Sequence, residues 1–392
     1  MSKLTICGGG NAAHVLIGLA GQAGWDVDVF APLADEAERL RTGGGITVRQ
    51  QDKTSVGQAR CISPDPAEVI PGSELVLLAL PAFAHDATLR TIAPFLEPSM
   101  IVGTLPARGG FDFAAHSILA EQGLTLLGLQ TLPWACRIVT YGQAVEILGT
   151  KEVVNLAARP PTLAPRLAKE LAALFNVSLQ PVSSFLTLTL ANPGQLIHPG
   201  IMYGLCQGRE AIRFTQDDIP PFYQGVDPFT AGLLQAMSTE VQTLARALAV
   251  HLPNFDPVEV TPLYTWLIRS YATAIADKSS LQRAFVTNRT YAGLKLPTRA
   301  VGPNTFAVDY TTRYLAEDVP YGLVVTRGLA ELASVDTPTI DEVIYWAQAR
   351  LERSYLLNGC LAGPDLAETR APQAYGIDDL AGLAQVSMGQ PA

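Results

Sequence analysis

The chain has 392 residues, of which 48% are hydrophobic and only 16% charged, enough apolar material for two domains with substantial cores. Its 27 Lys and Arg against 36 Asp and Glu leave a net charge of −9, which argues against broad nucleic-acid or anionic-membrane binding and leaves single arginines to take small carboxylates. Five scattered cysteines (Cys7, Cys61, Cys136, Cys206, Cys360), with no CxxC pair and no metal-ligand spacing, point to free thiols in a reducing, cytoplasmic setting rather than to a disulfide framework.

In chain order, Lys3 to Cys7 is a short apolar run that ends in Gly8-Gly9-Gly10 and leads into a helical pattern through Ala13, Leu16, Ile17 and Leu19. Asp26 to Phe30 predicts a second strand, and Ala34 to Thr42 a second helix. Strand, glycine turn, helix and strand make a βαβ unit with a parallel sheet. Ile46 to Arg49 and Ser55 to Cys61 predict a pair of strands. Leu75 to Leu80 reads as a central strand covered on both faces, Met100 to Gly103 and Leu124 to Leu129 as further strands, and Ala144 to Leu148 as an edge strand. The N-terminus runs almost directly into a strand, without the layout of a signal peptide.

Beyond about residue 160 the pattern is mostly helical: Leu163 to Phe175, Ala231 to His251, Pro262 to Asp277, Tyr321 to Ser334 and Ile340 to Leu357, with no strong strand signal after Leu190. A long uncharged stretch between Glu170 and Arg209 carries Asn176, Gln180, Asn192 and Gln195 among prolines. It therefore predicts a segment buried between domains and not a membrane span. The expected organisation is an α/β Rossmann-type domain over residues 1–185 and an all-helical substrate domain over 186–392.

Gly8-Gly9-Gly10-Asn11-Ala12-Ala13 is a G-x-G-x-x-A form of the dinucleotide fingerprint. Gly8 permits the tight turn, Gly10 lets the backbone approach a pyrophosphate, and Ala13 lets the helix lie close to the sheet, with the anion at the helix N-terminus. The flanking strands supply the context that this weak motif needs. No acid stands at the tip of the second strand, Phe30-Ala31-Pro32. Asp35 follows a few residues on, and Arg39 and Arg41 further still, so the usual NAD-versus-NADP discriminator is missing. Pro81 opens the turn after the Leu75 strand, where a nicotinamide or adenosine wall is expected. His85, just beyond, is either beside the cofactor or, as the plainer reading has it, a surface-loop histidine.

Among five histidines, His198 stands out in the uncharged stretch. It precedes Pro199-Gly200, which pushes it toward an extended conformation and suggests a helix starting at Pro199. Its alternatives are a proton-transfer residue and a buried histidine bonded to a carbonyl. Downstream, Pro320 fits a first helical turn and puts Asp318 near that helix's N-terminus, as an ionised support for an imidazole or as a plain N-cap. Arg313 is a planar fork suited to a substrate carboxylate, or a surface ion pair.

At these residues the chain resembles the octopine dehydrogenases of the opine dehydrogenase family along nearly its whole length. The matching stretches are Cys7-Gly8-Gly9-Gly10-Asn11, Ala34-Asp35-Glu36-Ala37-Glu38-Arg39, Pro81-Ala82-Phe83-Ala84-His85, Thr131-Leu132-Pro133-Trp134-Ala135-Cys136-Arg137, His198-Pro199, Phe222-Tyr223-Gln224-Gly225, Asn288 with Tyr291 and Gly293, and Arg313-Tyr314-Leu315 with Glu317-Asp318. The resemblance implies a Rossmann domain and a helical domain that completes the catalytic cleft. It implies NADH-dependent condensation of an amino acid with a 2-oxo acid, usually pyruvate, with NADP as the alternative cofactor. By the same carry-over His198 is the acid/base, Asp318 its partner, Arg313 a carboxylate clamp, Thr131 and Cys136 the oxo-acid pocket and Trp266 the amino-acid pocket. Gly8, Gly10, Asn11, Ala13, Asp35, Arg39 and Pro81 form the cofactor site. One departure is Arg108, in Ala107-Arg108-Gly109-Gly110, where these dehydrogenases carry a glutamine near the oxo-acid site. It adds a cation that either alters oxo-acid preference or points to solvent. The expected partners are small molecules, with a monomer or homodimer as the assembly. Two competing readings are a 2-hydroxy-acid or sugar-phosphate dehydrogenase of the same superfamily, disfavoured because Lys169, Lys278 and Lys295 occupy no plausible catalytic place, and a non-catalytic NAD-binding sensor.

Overall fold

The computed structural model describes residues 2–119, 122–209 and 211–388. Two compact units emerge: residues up to Leu188 together with the stretch that begins at Ala384, and Thr189–Leu383.

In the first unit, β1 (Lys3–Cys7), α1 (Asn11–Gln22), β2 (Asp26–Phe30) and α2 (Ala34–Thr42) follow the sequence pattern. They lead to β3 (Ile46–Gln50), β4 (Lys53–Gly57), β5 (Cys61–Ser63), α3 (Pro66–Val69), β6 (Leu75–Leu78), α4 (His85–Ile92), β7 (Ile101–Thr104), α5 (Phe111–Leu119) and β8 (Thr125–Leu129). The unit continues through β9 (Trp134–Thr140), β10 (Ala144–Thr150), β11 (Val153–Arg159), α6 (Ala164–Phe175) and β12 (Ser178–Pro181). Eight strands make one sheet in the order β12-β11-β8-β7-β6-β1-β2-β5, parallel throughout except where β11 runs against β8.

β6 shows why its sequence is apolar without interruption. Leu75 and Leu77 enter the core layer that holds α1 and α6, and Val76 and Leu78 the opposite layer that holds α4 and α5. Successive side chains of a strand alternate faces, so a strand covered on both sides needs an apolar residue at every position.

A second sheet, β4-β3-β10-β9, corrects two expectations. Ala144 to Leu148 is not an edge: β10 lies between β3 and β9. The segment expected as one strand from Ser55 to Cys61 is two, β4 in this sheet and β5 in the large one. The unpredicted β9 alternates Trp134 and Cys136 inward with Ala135 and Arg137 outward, a period-2 pattern of the kind that marks a half-buried strand.

The second unit runs from the last two residues of α7 (Phe185–Leu190) to the first four of α15 (Leu380–Met388). Between them are α8 (Pro193–Cys206), α9 (Pro228–His251), α10 (Leu263–Ser270), α11 (Leu281–Val286), α12 (Arg313–Ala316), α13 (Val324–Leu332) and α14 (Pro338–Leu351). Two short hairpins accompany the helices, β13 (Thr298–Gly302) with β14 (Thr305–Val308), and β15 (Leu356–Leu357) with β16 (Cys360–Leu361). The second turns on Asn358-Gly359, both at positive φ (51° and 83°), which is the strongest short-range hairpin signal a sequence can carry. The helix expected to run from Ile340 to Leu357 ends at Leu351, where Glu352 takes the left-handed conformation and stops it. The helix expected over Pro262 to Asp277 ends at Ser270. The end of α15 belongs to the first unit, where the Arg159 guanidinium donates to the Val386 carbonyl. Among the described residues no helix is long and apolar enough to cross a membrane.

Candidate active site

The glycine turn of the first unit is shaped by what surrounds it. Gly8 has φ +114°, and a β-carbon there would lie 2.7 Å from Leu80 Cδ2 and 3.1 Å from the Ala79 carbonyl oxygen. Gly10, the N-cap of α1, has no side-chain cap on the helix and nothing within 4 Å of where its β-carbon would point. The first helical turn therefore begins without a side-chain cap and with open space beside Gly10, at the helix end that favours an anion. Ala13 is fully buried against the sheet. The Asn11 side chain is committed elsewhere, accepting a hydrogen bond from the Ile138 N–H at 2.8 Å. Its contribution to an anion site is its place at the helix start.

His14 fastens this turn. Its Nδ1 bonds the Gly10 carbonyl at 2.9 Å and its Nε2 accepts from the Gly142 N–H at 2.9 Å. Both bonds are met only by a neutral ring with the proton on Nδ1, and burial accordingly holds His14 below its ordinary value of 6.5. Asp35 and Arg39 behave differently from expectation. They pair with each other at 3.7 Å on the exposed face of α2, and the Arg39 guanidinium lies 4.0 Å over the Tyr141 ring. It is Glu36 that reaches the turn: a β-carbon on Gly9 would fall 2.5 Å from its Oε1 and 2.6 Å from the Tyr141 hydroxyl. Burial pushes the Glu36 carboxyl up, and the neighbouring Tyr141 hydroxyl works against that. Glu36 was visible in the sequence only as part of a matching stretch.

Pro81 is the N-cap of a short 3₁₀ turn, Ala82–Ala84, after β6. The expectation of a surface-loop histidine at 85 fails. His85 is fully buried at the start of α4, with Nε2 at 3.1 Å from the Leu80 carbonyl and 3.3 Å from Thr104 Oγ1. Arg108 follows β7 in the left-handed conformation at φ 53°, and Thr131 is half-buried just after β8. Cys136 is buried in β9, and burial pushes its thiol up to about 11, with Arg137 and Lys151 opposing. A thiol so placed stays protonated and serves as a wall rather than a nucleophile.

The second unit brings His198 and Asp318 together. Asn192 caps α8 by accepting from the Gly194 N–H at 3.1 Å, and Pro193 occupies the first turn. The helix therefore starts six residues before Pro199. His198 is not an extended residue ahead of a helix but a mid-helix one, because the cap at Asn192 outweighs the local bias of the X-Pro pair. Asp318 is where the sequence placed it, at the N-cap of the short π-turn Val319–Leu323 with Pro320 in its first turn. That turn can approach α8 because residue 322 is glycine, since a β-carbon there would lie 2.6 Å from Gln195 Cβ. The approach brings Asp318 Oδ2 to 2.7 Å from His198 Nδ1. The carboxylate is 1% exposed and the imidazole 18%.

Further groups lie around this pair or along the same elements. The Tyr223 hydroxyl lies 2.9 Å from His198 Nε2. Tyr314 stacks on the imidazole at 4.2 Å and 12°. Arg313, one residue earlier, gives its Nε to Glu317, a carboxylate 1% exposed, while the guanidinium side chain is 55% exposed. Trp266 is half-buried rather than core. It joins the cluster through aromatic neighbours, Tyr271 at 6.0 Å, then Tyr291 at 5.3 Å from Tyr271, then Tyr223 at 4.1 Å from Tyr291. The sequence reading assigns no role to Tyr223, Tyr314 or Glu317, although Tyr314 and Glu317 lie in the same run as Arg313 and Asp318.

Comparison with known proteins adds the following. Residues 181–351 match the family described as NAD/NADP octopine/nopaline dehydrogenase, alpha-helical domain. The octopine dehydrogenase of Pecten maximus is 36% identical over 96% of this chain and 97% of its own length. A solved octopine dehydrogenase with NADH and L-arginine superposes with a TM-score of 0.90 at 33% identity, covering 100% of this chain and 99% of the other. One with NADH and pyruvate gives 0.88 at 32% identity, with the same coverage.

Proposed function

The chain belongs to the octopine/nopaline dehydrogenase family of oxidoreductases, and on that premise we propose that it condenses an amino acid with a 2-oxo acid, pyruvate being the first candidate, and reduces the product with NADH to an N-(1-carboxyalkyl) amino acid. The observation that carries the proposal is the 2.7 Å bond between His198 Nδ1 and the buried Asp318 carboxylate. With Nδ1–H donated to Asp318, the ring has one tautomer and one orientation, and the carboxylate stabilises the imidazolium, so Nε2 is the atom that gives or takes a proton.

The residues of the first unit fit a dinucleotide. Gly8 and Gly10 make the turn, the first N–H groups of α1 offer an anion site, and Glu36 stands at the turn in the place that sequence reading gave to Asp35. Asn11, Ala13, Arg39 and Pro81 frame the same region. When bound, the reduced nicotinamide supplies a hydride.

The chain's own residues do the rest. Arg313 binds a substrate carboxylate through the part of its fork that Glu317 does not use; Glu317 fixes the plane of that fork. Protonated His198 gives its Nε2 proton to the oxygen lost as water in condensation. Thr131, Cys136 and Arg108 line the oxo-acid side, and Trp266 the amino-acid side. NADH oxidation measured with pyruvate and a panel of amino acids tests the proposal. Oxidation that needs both substrates supports it. Oxidation with the oxo acid alone favours a hydroxy-acid dehydrogenase, and NADH binding without turnover a sensor.

A further inference from the structure

We propose that Tyr223 is a positioning residue for the proton transfer: its hydroxyl is the partner that satisfies His198 Nε2 in both protonation states of the ring. This rests on the reading of His198 as the proton donor.

With Nδ1–H given to Asp318, the neutral imidazole presents a lone pair at Nε2 and needs a donor, whereas the imidazolium presents an N–H and needs an acceptor. A carbonyl oxygen serves only the second state and an apolar ring neither. The Tyr223 hydroxyl, 2.9 Å from Nε2, serves both, provided that its single proton has somewhere else to go when Nε2 is itself a donor. We assign that alternative to Tyr314, whose ring stacks on the same imidazole at 4.2 Å and which interacts with the Tyr223 hydroxyl. The cycle then balances. Before transfer, Nε2–H donates to the Tyr223 oxygen and Tyr223 O–H donates to Tyr314. The substrate oxygen replaces Tyr223 as acceptor, the Nε2–H bond breaks and a substrate O–H bond forms. Tyr223 then turns its O–H to the vacated Nε2 lone pair.

The surroundings suit this role. Tyr223 is 8% exposed, and burial, reinforced by Tyr314, Tyr271 and Asp318, raises its hydroxyl well above the ordinary tyrosine range. It stays a neutral hydroxyl, which the two-way role requires. Its place is fixed by packing: the ring stacks on Tyr291 at 4.1 Å and meets Phe222 edge-on at 4.9 Å. The 3₁₀ turn that carries it, Tyr223–Gly225, is pinned by Gln224 Nε2, which donates to the Val286 and Asn288 carbonyls. The titratable groups facing His198 are Asp318 from the head of the π-turn, Tyr223 from the 3₁₀ turn and Tyr314 from α12. Tyr271 and Tyr291 stand behind Tyr223, and α8 has no other ionisable side chain within a turn of His198.

Tyr223→Phe and Tyr314→Phe in the full chain test the inference, with His198→Gln alongside. Tyr223→Phe removes a charge-assisted bond from the imidazolium but only a neutral one from the imidazole, so the charged state loses more. The alkaline limb of condensation should move to lower pH by about one unit, and kcat should fall about tenfold. The KM of each substrate and the Kd of NADH should stay at wild-type values. Tyr314→Phe should move the limb the same way by less. An unmoved limb in Tyr223→Phe, while His198→Gln loses turnover, overturns the role of Tyr223 and leaves that of His198. Wild-type turnover in His198→Gln overturns both. If Tyr223→Phe does not fold, an unmoved limb in Tyr314→Phe overturns the two-way hydroxyl.

Discussion

The glycine turn and the histidine cluster are built on opposite principles. At the turn, the proposed function rests on what is missing: no β-carbon at Gly8 or Gly10 and no side-chain cap on α1. At the cluster it rests on what has been brought from afar, His198 meeting Asp318 120 positions on and Tyr223 25 positions on. A site made of consecutive backbone shows itself in a six-residue spacing. A site made of side chains from α8, a 3₁₀ turn and a π-turn has no spacing to read. What the two share is a neighbour that fixes the working group: His14 clamps the turn, and Asp318 clamps His198.

The contrast can be broken most sharply at the cluster. His198→Gln should lower kcat by roughly 10²–10⁴-fold, the usual worth of general acid catalysis, with the Kd of NADH unchanged in a fluorescence titration. A parallel loss of NADH affinity would mean that the two sites do not divide the labour. Arg313→Ala should come next. Losing a charge-assisted carboxylate contact of about 1.5–3 kcal/mol predicts a fall of roughly 10–150-fold in kcat/KM for the oxo acid, read from steady-state kinetics. Wild-type values for both kinetic parameters would remove the clamp.

At the turn, Gly8→Ala forces a β-carbon onto Leu80 in a conformation with φ +114°. A strain of about 1–2 kcal/mol should raise the Kd of NADH roughly tenfold while kcat at saturating NADH stays near wild type. Equal weakening of kcat would contradict the backbone account. The smallest effect concerns His14. Its folded-state value lies below the ordinary 6.5, so its contribution is complete above that pH and is lost as pH falls through the lowered value. Between neutral and acid pH, wild type should lose on the order of 2–4 °C of Tm more than His14→Gln does. Parallel melting profiles would show that the clamp carries no linkage.

How far the sequence could be read follows the same divide. The βαβ start and the all-apolar β6 announce themselves because strand burial and glycine turns are local. Asn358-Gly359 was equally local and went unread among helical patterns, and the strand at Trp134–Thr140 begins inside a stretch noted only for its likeness to relatives. Pro199 misled: its X-Pro bias predicted a helix start, whereas Asn192 with Pro193 sets the helix going a turn and a half earlier. Of the groups around the imidazole, Asp318 was placed by its relation to Pro320. Tyr223 and Tyr314 could not be, because nothing in their neighbouring residues tells which histidine a tyrosine will meet. Glu36 was passed over for Asp35 because helix phase, not nearness to the strand tip, decides which of two adjacent acids turns toward the glycines.

The most direct test of the central claim follows one nitrogen atom. NADH, pyruvate and a ¹⁵N-labelled amino acid accepted by the protein should give a secondary amine that carries the label, the pyruvate carbons and two added hydrogens, with one water lost. Label left entirely in the starting amino acid, with the oxo acid reduced to a hydroxy acid, would contradict the account.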